Sequence, residues 1–239
     1  MKKFKSGLMT LSLFSLVWLG GCAQSGGPAA PQSVQASVNL GSASTFAVLA
    51  YSAITNSGPS TLCGSYGIAP LSSVSGGIVV NCGGVSDVDD TAANIAKGDL
   101  STAYTATAGR PGGANLWSGS NIGGITMYPG LYKDSGNLSV SSGNLTLDGL
   151  GNPNAVFIFQ VSGNLLATSG RQVILSGGAQ AANVFWQVAG YCSLGTTVSF
   201  VGTIMAYTSV TLDTGATLNG RALAENGDVT LLTNNITIP

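Results

Sequence analysis

Hydroxyl side chains recur at a near-constant interval in the last third of the chain. Nineteen residues separate Thr211 from Thr230, and also Thr214 from Thr233. The same series contains Ser193, Thr196, Thr197, Ser209, Gly215 and Thr217. If each interval is one coil of a β-structure, neighbouring hydroxyls lie ~6.7 Å apart along a strand and ~4.8 Å apart between coils. The chemistry of such an array is the ordered binding of water rather than the making or breaking of bonds.

Threonine is well suited to hold ordered water. Its hydroxyl joins a hydrogen-bonded network, and its methyl group limits the alternative geometries of that water. Its β-branch also fixes χ1, so little side-chain entropy is lost on binding. Both spacings are close to the oxygen repeats of ice. The pattern therefore indicates a surface that binds ice, although serine and threonine are also common on exposed strands that bind nothing.

Catalysis has little support in the sequence. The chain contains no histidine, which is the commonest general base and the commonest metal ligand. Its acids are scattered, and Asp213 and Asp228 are the pair that stacked coils could bring together. With no nucleophile–base pair and no phosphate-binding glycine loop, we expect no enzyme activity, no cofactor and no metal. A cell-surface adhesion or carbohydrate-binding structural module stays open as the alternative, with Tyr191 and Tyr207 as its outward aromatic residues.

Repeated segments predict the fold that would position these hydroxyls. Segment 153–161 is echoed by 182–188 with Phe159 matched to Trp186, and the register continues to Met205 and Ala224. A period of ~20 residues with Gly and Asn corners is typical of a β-solenoid, and gives three short strands per coil. Segments 156–159 and 184–186 are apolar without alternation, so both sides of those strands must be covered.

One helix, 87–108, is predicted to supply that cover. Aspartates favour its N-terminus, and Ala96, Leu100 and Ala103 belong to an apolar stripe. The stripe is expected to lie against outward side chains of the two apolar strands, namely Phe157, Phe159, Val184 and Trp186. Other segments alternate apolar and polar residues, so at least one wall of the tube faces solvent.

The N-terminus has the features of an export signal followed by a tether. Residues 1–21 have a basic start and an apolar run that is too short to span a bilayer. The sequence ending at Cys22 resembles the bacterial lipobox, in which the cysteine is lipidated; an ordinary secretory signal is the alternative. Residues 22–38 are predicted to be a flexible linker and 39–239 the folded domain. We expect an exported lipoprotein anchored to the outer membrane or cell surface, with release from the cell as the alternative.

The remaining cysteines predict one covalent link, and the charges limit the possible partners. Cys63 and Cys82 are expected to form a disulfide in an oxidising compartment, with two free thiols as the alternative. Cys192 is predicted to be a core residue, in the slot that Val210 and Val229 occupy in later coils. Without the leader the chain has five basic and nine acidic residues, a net charge of −4. That balance offers no footprint for nucleic acid, and we expect a monomer whose partners are ice and a membrane.

Several motifs, in order, resemble the bacterial and fungal ice-binding proteins of the irregular β-solenoid type, the DUF3494 domain. The most specific are NPNAVFIFQ at 152–160 and NVFWQV at 183–188, and the similarity covers about 40–237. The resemblance implies a right-handed triangular β-solenoid with one long α-helix packed along one face. It also implies coils that need not stack in chain order, and a small cap-like insertion at 57–86.

The resemblance further implies an ice site on a flat wall and its adjoining corner. Some members of the family repeat a Thr-Ala/Gly-x-Thr/Asn motif there, which the segment 214–217 matches. The segment containing Thr196 and Thr197 matches in part, whereas Arg171 departs from the pattern one coil earlier. On this basis the predicted site is the hydroxyl series of the final coils.

Overall fold

The computed structural model describes residues 34–116 and 118–239, which form a mainly β-structure. The predicted signal peptide and Cys22 lie outside these residues. Helix α1 spans Thr91–Ala108, and no helix in the described part of the chain is long and apolar enough to cross a membrane. In chain order the strands are β1 (Phe46–Ala50), β2 (Ala53–Ser57), β3 (Ser60–Cys63), β4 (Ser65–Ile68), β5 (Ser73–Ser75), β6 (Ile78–Asn81), β7 (Ser86–Val88), β8 (Ala114–Asn115), β9 (Thr126–Met127), β10 (Gly130–Asp134), β11 (Leu138–Val140), β12 (Leu145–Asp148), β13 (Phe157–Val161), β14 (Leu165–Ala167), β15 (Val173–Ser176), β16 (Val184–Val188), β17 (Cys192–Leu194), β18 (Ser199–Ala206), β19 (Val210–Leu212), β20 (Thr217–Ala224), β21 (Val229–Leu232) and β22 (Asn235–Thr237).

Successive strands fall in turn on three faces and pair in parallel with the strands of neighbouring coils. The covered face contains β1, β4, β7, β8, β10, β13, β16 and the second halves of β18 and β20. The second face contains β2, β5, β11, β14, β17, β19 and β21. The third face contains β3, β6, β9, β12, β15, β22 and the first halves of β18 and β20. These parallel sheets and the single helix of the described chain confirm the predicted fold class, whereas the hand of the coil stays a prediction.

The coils do not stack in chain order. On the covered face the order is β8–β10–β13–β16–β18–β20–β1–β4–β7, so the N-terminal coils follow the C-terminal coil. On the second face β2 likewise pairs with β21. The stack is therefore continuous from β8 to β7, and α1, which lies between β7 and β8 in the chain, connects the two ends of the stack.

The tube interior is filled by one apolar side chain after another along the stack. An aromatic ladder runs through it, with centroid distances of 5.4 Å between Tyr132 and Phe159, 4.0 Å between Phe159 and Trp186, and 5.1 Å between Trp186 and Phe200. The buried Trp186 indole donates to the Val201 carbonyl at 2.9 Å, which satisfies its polar atom. Cys192 lies in the same interior, where burial raises the pKa of its thiol, as expected of a core residue.

The side of the apolar strands that meets the helix was predicted wrongly. Phe157, Phe159, Val184 and Trp186 belong to the interior cluster. The residues between them face α1, in a second cluster that contains Val156, Ile158, Phe185, Leu131, Met205, Leu223, Ala96, Leu100 and Ala103. Because both sides of these strands are apolar, the sequence pattern could not distinguish the two sides. A register error of one residue then places every side chain on the wrong side of its strand.

The repeat length also differs from the predicted constant 19. Trp186 pairs with Ile204 and Ile204 pairs with Ala222, which are steps of 18, so Met205 and Ala224 do not continue the Trp186 row. On the second face Thr211 pairs with Thr230, a step of 19. The difference arises at the corner 225–228, which has one residue more than the equivalent corner 207–209. The corner that follows β21 is in turn one residue shorter than the equivalent corner that follows β19.

The cover of the covered face has two parts rather than the helix alone. Val38 and Leu40 are buried in the same cluster as Leu100, so the segment 34–45 lies beside α1. Arg110 fixes this segment by donating to the carbonyls of Ala36 and Ser37. The chain is therefore packed before residue 39, where the folded domain was expected to start.

Helix α1 begins at Thr91, four residues later than predicted. Asp90 is its N-cap and accepts from the Ala93 N–H at 2.8 Å. The preceding segment 86–88 is strand β7, paired with β4. Two of the aspartates expected in the helix, Asp87 and Asp89, therefore lie before it.

The segment 57–86 is not a separate cap. Its strands β4, β5 and β6 fall on the three faces in turn and form the last complete coil of the stack, whereas β3 belongs to the preceding coil. The predicted disulfide is present and joins Cys63, at the end of β3, to Cys82, next to the end of β6. It links this coil to its neighbour across the third face.

Candidate functional site

The predicted hydroxyl row exists on the second face. Thr211 is the middle residue of β19 and pairs with Ser193 on one side and Thr230 on the other. Its neighbours Val210 and Leu212 are fully buried, because alternate residues of each strand point into the tube. The same row continues onto coils that sequence reasoning missed, through Thr55, Ser75, Leu166 and Ser139.

The N-terminal members of this row could not have been found from spacing. Thr55 follows Thr230 in space because β2 pairs with β21, although 175 residues separate them in the chain. Their signal was the alternation Ile54, Thr55, Asn56, in which the flanking residues are buried and Thr55 is exposed. That pattern predicts an outward residue but does not say which coil is its neighbour.

Ser209 lies in a less regular row at the start of the second face. The Cys192 N–H donates to the Ser209 carbonyl, and the Val210 N–H donates to the Asp228 carbonyl, which places Ser209 between Tyr191 and Asp228. Tyr191 is 42% exposed. Thr230 donates to the Asp228 carboxylate at 3.1 Å, so this acid is tied to the hydroxyl row.

The corner between the second and third faces holds the other predicted threonines. Thr196, Thr197, Thr214, Gly215 and Thr233 are all exposed there. The Thr197 N–H donates to the Thr214 carbonyl, the Gly215 N–H to Leu232, and the Thr233 N–H to Ser57. Thr197, Gly215 and Thr233 are therefore equivalent residues of successive coils. Thr214 aligns with Thr196 and Leu232, and not with Thr233 as the 19-residue spacing indicated.

The backbone at this corner is left-handed in coil after coil. The φ angles are 58° at Thr197, 72° at Gly215 and 57° at Thr233, and the equivalent residues of adjoining coils are Gly170 and Gly58. A β-branched residue in this region is strained by roughly 1–2 kcal/mol, a cost that glycine avoids. Two coils nevertheless carry threonine here, with the side chain exposed to solvent.

Thr217 lies on a different face from Thr211. It begins β20 on the third face, where it pairs with Ser199 and Asn235. Asn219, two residues later, pairs with Val201 and Thr237. The wall containing Thr217 is therefore the wall that Asn219 occupies, and the predicted set extends from the second face around the corner to the edge of the third. Sequence reasoning missed this because it could not fix where the corner ends.

Arg171 interrupts the corner near the other end of the stack. It follows Gly170, and its backbone N–H donates to the Thr168 carbonyl. Its guanidinium Nε is buried without a hydrogen-bond partner among the described residues. The regular hydroxyl-bearing corner therefore covers the coils from β17 through β21 and not the coil that contains Arg171.

The structure does not assemble a catalytic or metal site from the acids singled out above. Asp213 follows the end of β19, whereas Asp228 precedes the start of β21. Because β19 and β21 are parallel neighbours, these two acids lie at opposite ends of the second face. In residues 34–116 and 118–239 no group of three or more His, Cys, Asp or Glu side chains is placed to hold a metal ion. Tyr207 packs against Tyr104 of the helix at 5.9 Å, so Tyr191 and Tyr207 form no aromatic row.

Comparison with known proteins gives one consistent family. The model described as ice-binding-like matches residues 48–237. The chain is 41% identical over 198 residues to an ice-binding protein of Nostoc sp. (strain HG1), covering 82% of this chain and 72% of that relative. It is 38% identical over 218 residues to an ice-binding protein of Colwellia sp., covering 84% of each.

A solved structure agrees with these relatives. The crystal structure of an ice binding protein from an Antarctic biological consortium superposes with a TM-score of 0.83 at 45% identity, covering 88% of this chain and 96% of that chain. Both the matched span and the shared fold include the second face, the corner and the third face. The chain therefore belongs to the ice-binding-like family.

Proposed function

We propose that this chain binds ice crystals and inhibits ice growth and recrystallisation through the second face and its corner. The site comprises the second-face row centred on Thr211 and the corner threonines, with Thr217 at its edge. The observation that carries this proposal is the pair Thr197 and Thr233. Strained backbone that the surrounding structure maintains is concentrated at functional sites, and here it presents threonine outward where glycine would suffice for the fold.

The fold supplies what adsorption to a crystal requires. Parallel pairing fixes neighbouring hydroxyls ~4.8 Å apart, and the packed interior keeps the array rigid. Ser193, Thr211 and Thr230 are each half-buried, so their side chains lose little freedom when a lattice docks. Long charged side chains are absent from this part of the second-face row, with Asp228 tied to Thr230.

The other two faces fit ice less well. The outward side chains of the covered face are already buried under α1 and the segment 34–45. The third face carries Gln172, exposed Ile174 and the longer amides Asn219 and Asn235. We therefore assign the main contact to the second face, and we propose a monomeric protein without catalytic activity.

Inhibition of ice recrystallisation by the purified mature chain tests this proposal. The sharpest variant pair is Thr197→Gly with Thr233→Gly, which removes two side chains at residues whose backbone favours glycine. We expect the double variant to fold with stability within ~1 kcal/mol of the parent and to need a several-fold higher concentration for inhibition. A parent chain that leaves ice grain growth unchanged would contradict the proposal.

We also propose that the chain is exported and carries lipid on Cys22, so that the segment after Cys22 tethers the folded domain to a membrane. The support is the lipobox-like sequence and the short apolar run before it. The proposed activity on ice, including thermal hysteresis, and the proposed membrane anchor are independent of each other.

The anchor is tested by Cys22→Ser. In the expressing bacterium this variant is expected to shift the protein from the membrane fraction to the soluble fraction or to leave it unprocessed. Unchanged fractionation and gel mobility would exclude Cys22 as the anchor.

A further inference from the structure

A buried amide side chain lies directly beneath the corner between the second and third faces. Asn234 is 3% exposed, although the equivalent residues of the two preceding coils, Val198 and Ala216, are apolar. Burying an amide is unfavourable unless its donors and its acceptor are paired. The fold alone does not require an asparagine here, because alanine fills the same position one coil earlier.

The amide of Asn234 fixes both ends of the neighbouring corner. Its Nδ2 atom donates to the carbonyls of Asp213 and Ala216, each at 2.9 Å. The Ala216 N–H also donates to the Asp213 carbonyl at 2.9 Å, which closes a turn with Thr214 and Gly215 at its centre. The amide therefore holds, from inside the tube, a turn whose tip presents an exposed threonine.

The same side chain closes its own corner. The Leu232 N–H donates to Asn234 Oδ1, and this hydrogen-bonded ring contains Thr233, whose φ of 57° is left-handed. A β-branched residue keeps such a backbone only where the surrounding contacts maintain it. Both amide N–H groups and the amide oxygen of Asn234 are thereby paired, and a flipped amide would place its oxygen against two carbonyls. The side chain therefore has one orientation.

Further hydrogen bonds tie this corner to the following coil. The Asn234 N–H donates to Ser60 Oγ at 2.9 Å, and Ser60 Oγ donates to Asn56 Oδ1 at 2.6 Å. The Asn56 amide donates in turn to the Gly58 carbonyl at 2.8 Å. Asn234 is the member of this buried network that contacts both corners carrying threonines of the proposed ice surface.

We propose that Asn234 is a positioning residue of the ice surface, which holds the corners that present Thr214 and Thr233 in one flat array. This inference rests on the proposed function, because the array matters only where it contacts ice. A crystal lattice must meet several side chains in fixed places at once, so preorganised corners lower the cost of binding. A corner that can tilt would lose contact with ice although the solenoid stays folded.

Asn234→Ala tests the proposal in the purified mature chain. The equivalent position holds alanine at Ala216 and serine at Ser60, so Asn234→Ala is expected to fold, and Asn234→Ser is a second variant of similar size. Thermal hysteresis and recrystallisation inhibition are measured on chains whose amide NMR spectra show a folded protein. We expect a several-fold loss of both activities, with spectral changes concentrated at the two corners.

Gln160→Ala supplies a matched control on the covered face. Gln160 is likewise a buried amide, 8% exposed, and its Nε2 atom donates to the carbonyls of Thr107 at 2.6 Å and Ala108 at 3.2 Å. Its removal leaves the same kind of buried carbonyl unpaired, so urea unfolding should show a comparable loss of stability. Its activity on ice is expected to equal that of the parent.

A second background separates positioning from a general structural role. In a chain with Thr214→Ala and Thr233→Gly, the side chains that Asn234 is proposed to position are absent, while the second-face row remains. Adding Asn234→Ala to that chain should lower its stability again but cause no further loss of activity on ice.

The outcomes distinguish this inference from the function on which it rests. An active parent matched in activity by folded Asn234→Ala or Asn234→Ser would refute the inference and leave the proposed function standing. An equal loss in both backgrounds, or an equal loss in Gln160→Ala, would mean that Asn234 acts only through stability. A parent chain without effect on ice would contradict the proposed function, and this inference with it.

Discussion

Replacing Leu100 by alanine tests whether α1 is an integral part of the fold. Leu100 is fully buried and sits in the cluster between the helix and the covered face, together with Ile158 and Phe185. Truncation removes buried apolar atoms and leaves a cavity. Buried leucine-to-alanine changes cost about 2–5 kcal/mol. Because the helix lies at the surface and can settle slightly toward the strands, we expect the lower part of that range, about 2–4 kcal/mol.

The same helix supplies a matched control. Ile95 is 54% exposed on α1, so Ile95→Ala removes an aliphatic side chain of equal size that is largely in contact with solvent. Its expected effect is within ~0.5 kcal/mol, since alanine also has the better helix propensity.

Urea unfolding at equilibrium, followed by circular dichroism, gives both free energies. The slope of the transition must stay that of the parent for the comparison to hold. A loss below ~0.5 kcal/mol for Leu100→Ala, or equal losses for the two variants, would mean that the helix does not cover the solenoid as described.

Two further predictions concern Lys97 and the disulfide. Lys97 has a pKa of about 8 in the folded chain against 10.5 ordinarily, so between these values the unfolded state binds more protons and the free energy of unfolding rises with pH. The slope is at most ~1.4 kcal/mol per pH unit, and it ends near pH 10, where Tyr104 and Tyr132, whose pKa values are raised, act in the opposite direction. Urea unfolding between pH 7 and 10 should show the rise in the parent and in Lys133→Met but not in Lys97→Met; a rise that persists in Lys97→Met would refute the assignment. For Cys63 and Cys82, which are 19 residues apart, the double change to serine should lower stability by about 3 kcal/mol, and two free thiols in non-reducing mass spectrometry would contradict the bond itself.

The sequence was most informative where each strand has one apolar side. Val210, Thr211 and Leu212 alternate, so the outward position of Thr211 and its pairing with Thr230 could be predicted. The strand 157–161 is buried throughout, and there the pattern does not distinguish the interior from the helix side. The helix and its packing stripe were predicted, whereas the residues that it contacts were shifted by one.

The lengths of the corners and the stacking order of the coils could not be predicted from the sequence, for a different reason. The assignment of Thr217 depends on the number of residues in the corner after β19, and corners here differ by one residue from coil to coil. The contact between β1 and β20 joins segments at opposite ends of the chain, and no local propensity encodes it. The left-handed backbone at Thr197 and Thr233 could not be predicted from the sequence either, because threonine rarely adopts that conformation.

Thermal hysteresis of Thr211→Tyr tests the central claim most directly. Thr211 lies between Ser193 and Thr230 in the middle of the second-face row, so a tyrosine there should lift an ice lattice off the surface without reaching the core. We predict that most thermal hysteresis and recrystallisation inhibition is lost while stability stays within ~0.5 kcal/mol of the parent. Thr102→Tyr, on the exposed side of α1, and Asn219→Tyr, on the third face, should keep the parent's activity. Full activity in Thr211→Tyr together with its loss in Asn219→Tyr would show that ice binds the third face instead.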